Sequence, residues 1–177
     1  MPSTPGAAHT IRPLRDDERE KLARVVAESW GSSSVVSRGA VYDVRDLPCL
    51  VATDGSGWLG VAAYRFADGE CELVLIEAFE QGLGTGTALL DAVIQEARAA
   101  AAKRLWLVTT NNNLDALGFY QRRGMRLVCL RPDAITQARQ FLKPEIPLAG
   151  SNGIPIRDEL ELELPLDSAN PEADRPG

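Results

Sequence analysis

Histidine is almost missing from this chain: the only one among 177 residues is His9. It falls in an opening segment of proline, glycine, serine, alanine and threonine, ahead of the first strand pattern. That sets aside a Ser-His-Asp or Cys-His mechanism and any His-ligated metal site, and no metal is expected. Cysteine is also scarce. Cys49, Cys71 and Cys129 are odd in number, form no Cys-x-x-Cys pair and lie in apolar, strand-like segments. With no signal-peptide pattern, the expectation is reduced, buried thiols in a cytoplasmic protein. No apolar run approaches about 18 residues, so no membrane span is expected. A broad basic face is lacking as well. Residues 158–177 hold seven acids and one arginine, which accounts for the net charge of −6, and the rest of the chain is balanced. Nucleic acid is therefore not an expected partner. Chemistry must rest on carboxylates, tyrosine, amides and a bound cofactor.

The length suits one domain with a real core. Residues 1–9 read as a disordered lead, 10–166 as a single domain and 167–177 as a disordered acidic tail. Thr10–Leu14 reads as a strand, and the acids Asp16-Asp17 then open a helix whose face keeps Leu22, Val25, Val26, Ser29 and Trp30. Gly31–Arg38 is serine- and glycine-rich and reads as a loop, and Gly39–Leu47 carries no firm pattern. Leu50–Thr53, Gly57–Phe66 and Glu70–Ala78 read as an antiparallel meander joined by Asp54-Gly55-Ser56 and Ala67-Asp68-Gly69. A helix (Thr85–Ala102), a strand (Leu105–Thr109), a helix (Asn113–Arg123) and a strand (Met125–Leu130) follow. The connection Pro132–Asp158 is long, with a helical turn or two over Ile135–Phe141. Glu159–Leu164 then alternates charged and apolar residues, the period of a strand with one buried face.

The turn Gln81-Gly82-Leu83-Gly84-Thr85-Gly86-Thr87 lies between an apolar strand and a helix. Such a turn leaves several N–H groups pointing one way, at the positive end of a helix dipole, which suits phosphate. A nucleoside-triphosphate loop needs a Gly-Lys-Ser/Thr ending, and no lysine lies near. A dinucleotide fingerprint wants glycine or alanine where Thr87 stands, at the head of a βαβαβ unit. A ligand-free, glycine-rich helix start is the bland alternative. The remaining pattern, Gln/Arg-x-x-Gly-x-Gly, resembles the pyrophosphate loop of the GNAT superfamily of acyl-CoA-dependent N-acetyltransferases. A second motif agrees. Asn113-Leu114-Asp115-Ala116-Leu117-Gly118-Phe119-Tyr120-Gln121-Arg122-Arg123-Gly124-Met125 resembles the family's Asn-x-x-Ala-x-x-aromatic-Tyr-x-x-x-Gly-aromatic/apolar. Read by itself, Asn113 is a helix cap, Ala116, Phe119, Tyr120 and Arg123 recur at helical spacing, and Gly124 suits a left-handed end.

The resemblance covers about residues 10–166. It implies an α/β (α+β) GNAT fold: a mixed, mostly antiparallel sheet of six to seven strands, with a splayed parallel pair and helices on both faces. It implies acetyl-CoA as cosubstrate and transfer to a primary amine of a small molecule or peptide, by direct attack in a ternary complex. Carried over by position, Val74, Leu75 and Ile76 would pair with the pantetheine. Gln81, Gly82, Leu83, Gly84, Thr85, Gly86 and Thr87 would hold the pyrophosphate, with Asn113 and Tyr120 beside them. Gln81 and Leu83 replace the commoner basic residues, so weaker cofactor binding is expected. Tyr120 would be the general acid at the coenzyme thiolate. The general base is expected among Glu70, Glu72 and Glu77. Alternation groups Glu72 with Val74 and Ile76, and Glu77 with Leu73 and Leu75, and Glu72 is the favoured base. In the long loop, Lys143 or Arg157 is a candidate for an acceptor carboxylate, and Glu145 or Asp158 for its amine. The alternative function is an acyl-CoA sensor of the same fold without efficient transfer. Either state, monomer or homodimer, is compatible with the chain.

Overall fold

The structure, a computed structural model, describes residues 9–166. The expected lead and tail therefore lie outside the described residues, except for His9. The sheet strands are β1 (Thr10–Pro13), β4 (Cys49–Thr53), β5 (Trp58–Ala67), β6 (Glu70–Ala78), β7 (Arg104–Thr110), β8 (Arg126–Arg131) and β9 (Glu159–Pro165). They form one seven-stranded sheet in the order β1-β4-β5-β6-β7-β9-β8. Every pairing is antiparallel except β6 with β7. The helices are α1 (Arg19–Trp30), α2 (Thr85–Ala99), α3 (Leu114–Arg122) and α4 (Ala134–Phe141). The mixed, mostly antiparallel α/β fold with a parallel pair is the one expected.

Two apolar layers sandwich the sheet. Leu89, Leu90, Val93 and Ala97 of α2 pack on Ala52, Ala62, Leu73, Leu105 and Leu107, together with Tyr120 and Met125. On the opposite face, Leu22 and Val26 of α1 pack on Val51, Val61, Ala63 and Leu75. Each fully buried side chain of this size contributes about 1.5–3 kcal/mol, so these stripes hold the helices in place. The α1 face is narrower than its spacing predicts, because Ser29 and Trp30 are exposed. Gly31, in the left-handed region at φ 82°, ends that helix.

The segment after α1, expected to be loop, is a hairpin of β2 (Ser34–Ser37) and β3 (Ala40–Asp43). Its two central residues, Arg38 and Gly39, both have positive φ, 49° and 74°, which matches the twist of a two-residue hairpin turn. Four-residue strands flanked by serine carry too little pattern to stand out. What holds them is tertiary: Val35 enters the α1-side core, and Arg38 binds Glu161 of β9 at 2.8 Å.

The β9 alternation is right, but both of its faces are covered. Glu159 and Glu161 are as buried as Leu162, because Arg38, Arg104 and Arg131 neutralise them at 2.6–3.2 Å. Burial alone raises the Glu161 pKa, yet the hydrogen bonds from Arg131 and Arg104 outweigh it and the net shift is downward. Cysteine burial is as expected for Cys49 and Cys71, whose thiols burial pushes up to about 12. Cys129 departs from that expectation and is exposed on β8, a sheet-edge strand. Among the described residues no helix is long and apolar enough to cross a membrane.

Gly60 has no room for a side chain. A Cβ there would lie 2.5 Å from the Glu77 carbonyl oxygen and 2.9 Å from Thr85 Cγ2. Gly60→Ala is expected to lower stability by about 1–3 kcal/mol, read as a lower urea midpoint at unchanged slope. An unaltered midpoint would show that β5 can move away freely.

Candidate active site

The parallel pairing of β6 with β7 lasts for only two residue pairs, Cys71 with Leu105 and Glu72 with Trp106. Beyond them the strands part, and a cleft of about 600 Å³ opens. Its walls are Leu73–Ile76 of β6, Val108 and Thr109 of β7, the glycine-rich turn, and the α3 residues Asn113, Ala116, Phe119 and Tyr120.

Gly82 and Gly84 lie in the left-handed region at φ 83° and 77°, a conformation that costs an ordinary residue about 1–2 kcal/mol. The α2 helix begins on Gly84, whose carbonyl accepts from Ala88 at 3.0 Å. Among the turn and loop bonds of the described residues, none is donated by an N–H of residues 82–87. Gln81, Gly82, Gly84, Thr85, Gly86 and Thr87 line the cleft, whereas Leu83 does not and stands 40% exposed. The Thr85 side chain turns away, toward the sheet, and meets His9 Nε2 at 3.0 Å. His9 is thus tied to the back of the turn.

Across the cleft, Asn113 caps α3 by accepting the Ala116 N–H at 3.3 Å. Tyr120 is buried against Phe119 in an edge-to-face pair at 5.2 Å, and burial drives its phenol pKa upward. The phenol therefore stays protonated at neutral pH, as a proton donor must. The turn, Val74–Ile76, Asn113 and Tyr120 are brought together around one cavity. Glu72 is not among the residues lining it.

The placement of the acidic residues follows from a β-bulge. The β5–β6 register runs from Ala63 opposite Leu75 directly to Tyr64 opposite Leu73, leaving Val74 as the extra residue. Strict alternation therefore fails. Leu73 and Ile76 face α2, while Val74 and Leu75 belong to the α1 side. Glu77, opposite Val61, and Glu72, opposite Arg65, consequently share the α1 face instead of lying on opposite faces. Glu72 is 2% exposed and paired with Arg65 at 2.9 Å, and its Oε1 has no partner among the described residues. Glu70 pairs with Arg104 at 2.9 Å. Glu77 accepts from the indole N–H of Trp30 at 3.1 Å, and Trp30 itself lines the cleft.

The long connection is fastened to the chain by its own polar groups. Lys143 is buried with Nζ 2.6 Å from the Ser34 carbonyl. Arg157 binds Asp158 at 2.9 Å, and Asp158 also accepts the Asp133 N–H. Asn111 holds Pro155, Arg157 and Asp158 through three hydrogen bonds. Lys143, Arg157 and Asp158 thus have structural partners, and among the acceptor candidates Arg157 and Asp158 are the two that form ion pairs.

The profile described as the acetyltransferase (GNAT) family matches residues 13–125. The chain belongs to the GNAT acetyltransferase family. A Bacillus subtilis strain 168 protein of uncharacterised function, YxbD, is 40% identical over 153 residues, which is 86% of this chain and 96% of that protein. Among solved structures, a GNAT acetyltransferase from Elizabethkingia anophelis with acetyl-CoA bound has a TM-score of 0.65 at 23% identity, over 89% of this chain and 98% of that one. A Bacillus subtilis acetyltransferase in complex with CoA scores 0.64 at 23% identity, over 90% and 99%. These two likenesses bear on the fold.

The GNAT core of this chain carries one internal ion pair whose worth can be measured. Arg65→Met strands the buried Glu72 carboxylate and is expected to cost about 3 kcal/mol, while Arg65→Met with Glu72→Met recovers most of it. Equal loss in the single and double variants, read by chemical denaturation, would mean that the two side chains matter by shape alone.

Proposed function

We propose that the protein transfers the acetyl group of acetyl-CoA to a primary amine of a small molecule or peptide, by direct attack in a ternary complex. The observation that carries this reading is a single cleft joining the parted β6–β7 edges to an amide-rich turn at a helix N-terminus. Unpaired strand edges suit an amide-containing arm, and the turn suits a pyrophosphate. Acetyl-CoA has both, in that order. Membership of an acetyltransferase family and the cofactor-bound neighbours point the same way.

In this reading, backbone groups of Val74, Leu75 and Ile76 hold the pantetheine, and one N–H polarises the thioester carbonyl. The amine nitrogen forms the new C–N bond, the C–S bond breaks, and Tyr120 gives its proton to the departing thiolate. A thiol of pKa about 8.5 leaves tolerably well unaided, so Tyr120→Phe should lower kcat about 100-fold, the small end for acid–base groups. Turnover equal to wild type would remove Tyr120 from the mechanism.

An acceptor amine must lose a proton, and Trp30 opens the α1 side of the cleft to it. Glu77 is the better placed of the two carboxylates there, because it is half-exposed and steadied by Trp30. Glu72, the base favoured by the sequence, could act only through water, since it is buried and held by Arg65; neither of the two lines the cleft itself, but Glu77 is bonded to Trp30, which does. Glu77→Gln is expected to remove the basic group from the pH profile of kcat/KM, and Glu72→Gln to leave it. The reverse outcome would restore the role to Glu72.

The second reading, a sensor that binds acyl-CoA without efficient transfer, is favoured by the absence of basic side chains in the turn itself. Direct acetyl-CoA titration beside CoA release on an amine panel separates the two. Release with any amine supports transfer, and binding without release on every amine supports the sensor.

A further inference from the structure

The turn has no cation of its own, but two arginines reach its cleft from the end of α3. Arg122 and Arg123 are the basic residues that line the cavity. Among the described residues neither forms an ion pair. Glu80 and Asp115 line the same cavity without pairing with them.

Arg123 is held by neutral groups. Its Nη1 donates to the Phe119 carbonyl at 3.1 Å, its Nη2 to Thr87 Oγ1, and its guanidinium lies 3.8 Å from the Phe119 ring centroid. Its Nε is buried with no partner among the described residues. Thr87 belongs to the first turn of α2, so the guanidinium is pinned beside the positive end of a helix dipole, where a cation is disfavoured. An arriving phosphate reverses that balance. The dipole, the unpaired amides of the turn and the guanidinium would then all face one anion, and charge-assisted bonds of that kind are the strong ones.

We propose that Arg123 is a phosphate ligand for the CoA cosubstrate, supplying from α3 the positive charge that Gln81 and Leu83 leave out of the turn. This assignment rests on the acetyl-CoA reading above. The pyrophosphate and the 3′-phosphate offer the same chemistry, and the competing role for Arg123 is a neutral staple that packs α3 on α2.

Calorimetric titration of wild type, Arg123→Lys and Arg123→Met with CoA and with 3′-dephospho-CoA, at low and high salt, decides between them. Arg123→Met should bind CoA roughly ten- to hundredfold more weakly at low salt. That penalty should shrink as salt screens the charge, and Arg123→Lys should retain most of the affinity. An equal penalty on 3′-dephospho-CoA supports contact with the pyrophosphate, and a penalty confined to CoA supports the 3′-phosphate. Unchanged CoA affinity in Arg123→Met overturns the proposal. So does a loss that is insensitive to salt and equally large in Arg123→Lys, which would identify the staple. Wild-type protein that binds no CoA at all would overturn the acetyl-CoA reading, and this assignment with it.

Discussion

The site depends on two strands that begin as parallel neighbours and then separate. After Glu72 and Trp106 the β6 and β7 edges stop pairing, and their N–H and C=O groups are left facing a cavity. Exposed strand edges are normally a liability, because they invite pairing with other chains. Here the gap lies inside the sheet, flanked by β5 on one side and β9 on the other. An extended ligand with amide groups can enter it, and another sheet cannot. The Val74 bulge sits where the strands part. By adding one residue to β6 it bends the strand, and it also moves Glu77 to the α1 face. One irregularity therefore bends the strand at the cleft and puts Glu77 within reach of Trp30, which lines it.

The opposite half of the sheet is held by charge. β9 directs Glu159 and Glu161 into a layer that would otherwise be apolar, and three arginines from β2–β3, β7 and β8 answer them. Buried charges of this kind are tolerated only when paired and hydrogen-bonded. Trp106 lies beneath Arg38, with the guanidinium 4.1 Å from its ring centroid. The network docks the β2–β3 hairpin, and Lys143 ties the long connection to the same hairpin through Ser34. The hairpin and the long connection thus have their polar groups spent on each other and on β9.

Much of the arrangement was legible in the chain. The meander from Leu50 to Ala78, the glycine-rich turn and the Asn113–Gly124 helix all carry strong local signals: apolar runs between paired turn residues, a cap and a left-handed end. The residues those motifs single out do surround one cavity. The hairpin at Ser34–Asp43 was not legible, because its strands are short and are stabilised by Val35 and Arg38 contacts made far along the chain. Burial of Glu159 and Glu161 was hidden for the same reason, since alternation assigns charged residues to solvent and cannot see the arginines that cover them. Arg123 was visible only as a helical repeat of Phe119, four residues earlier. Nothing local says that its guanidinium reaches Thr87.

By itself, the sequence determined the family, the element types around the turn, and most of the residues that come to line the cleft. Those properties depend on neighbours within a few positions, such as a glycine that must be left-handed or an asparagine that caps the next turn. Only the tertiary structure decided which face of β6 carries Glu77, which cations reach the cleft, and what the long connection's charges do. Each of those depends on register across strands or on partners tens of residues away. A single inserted residue at Val74 changed the first of them, and no local pattern marks it.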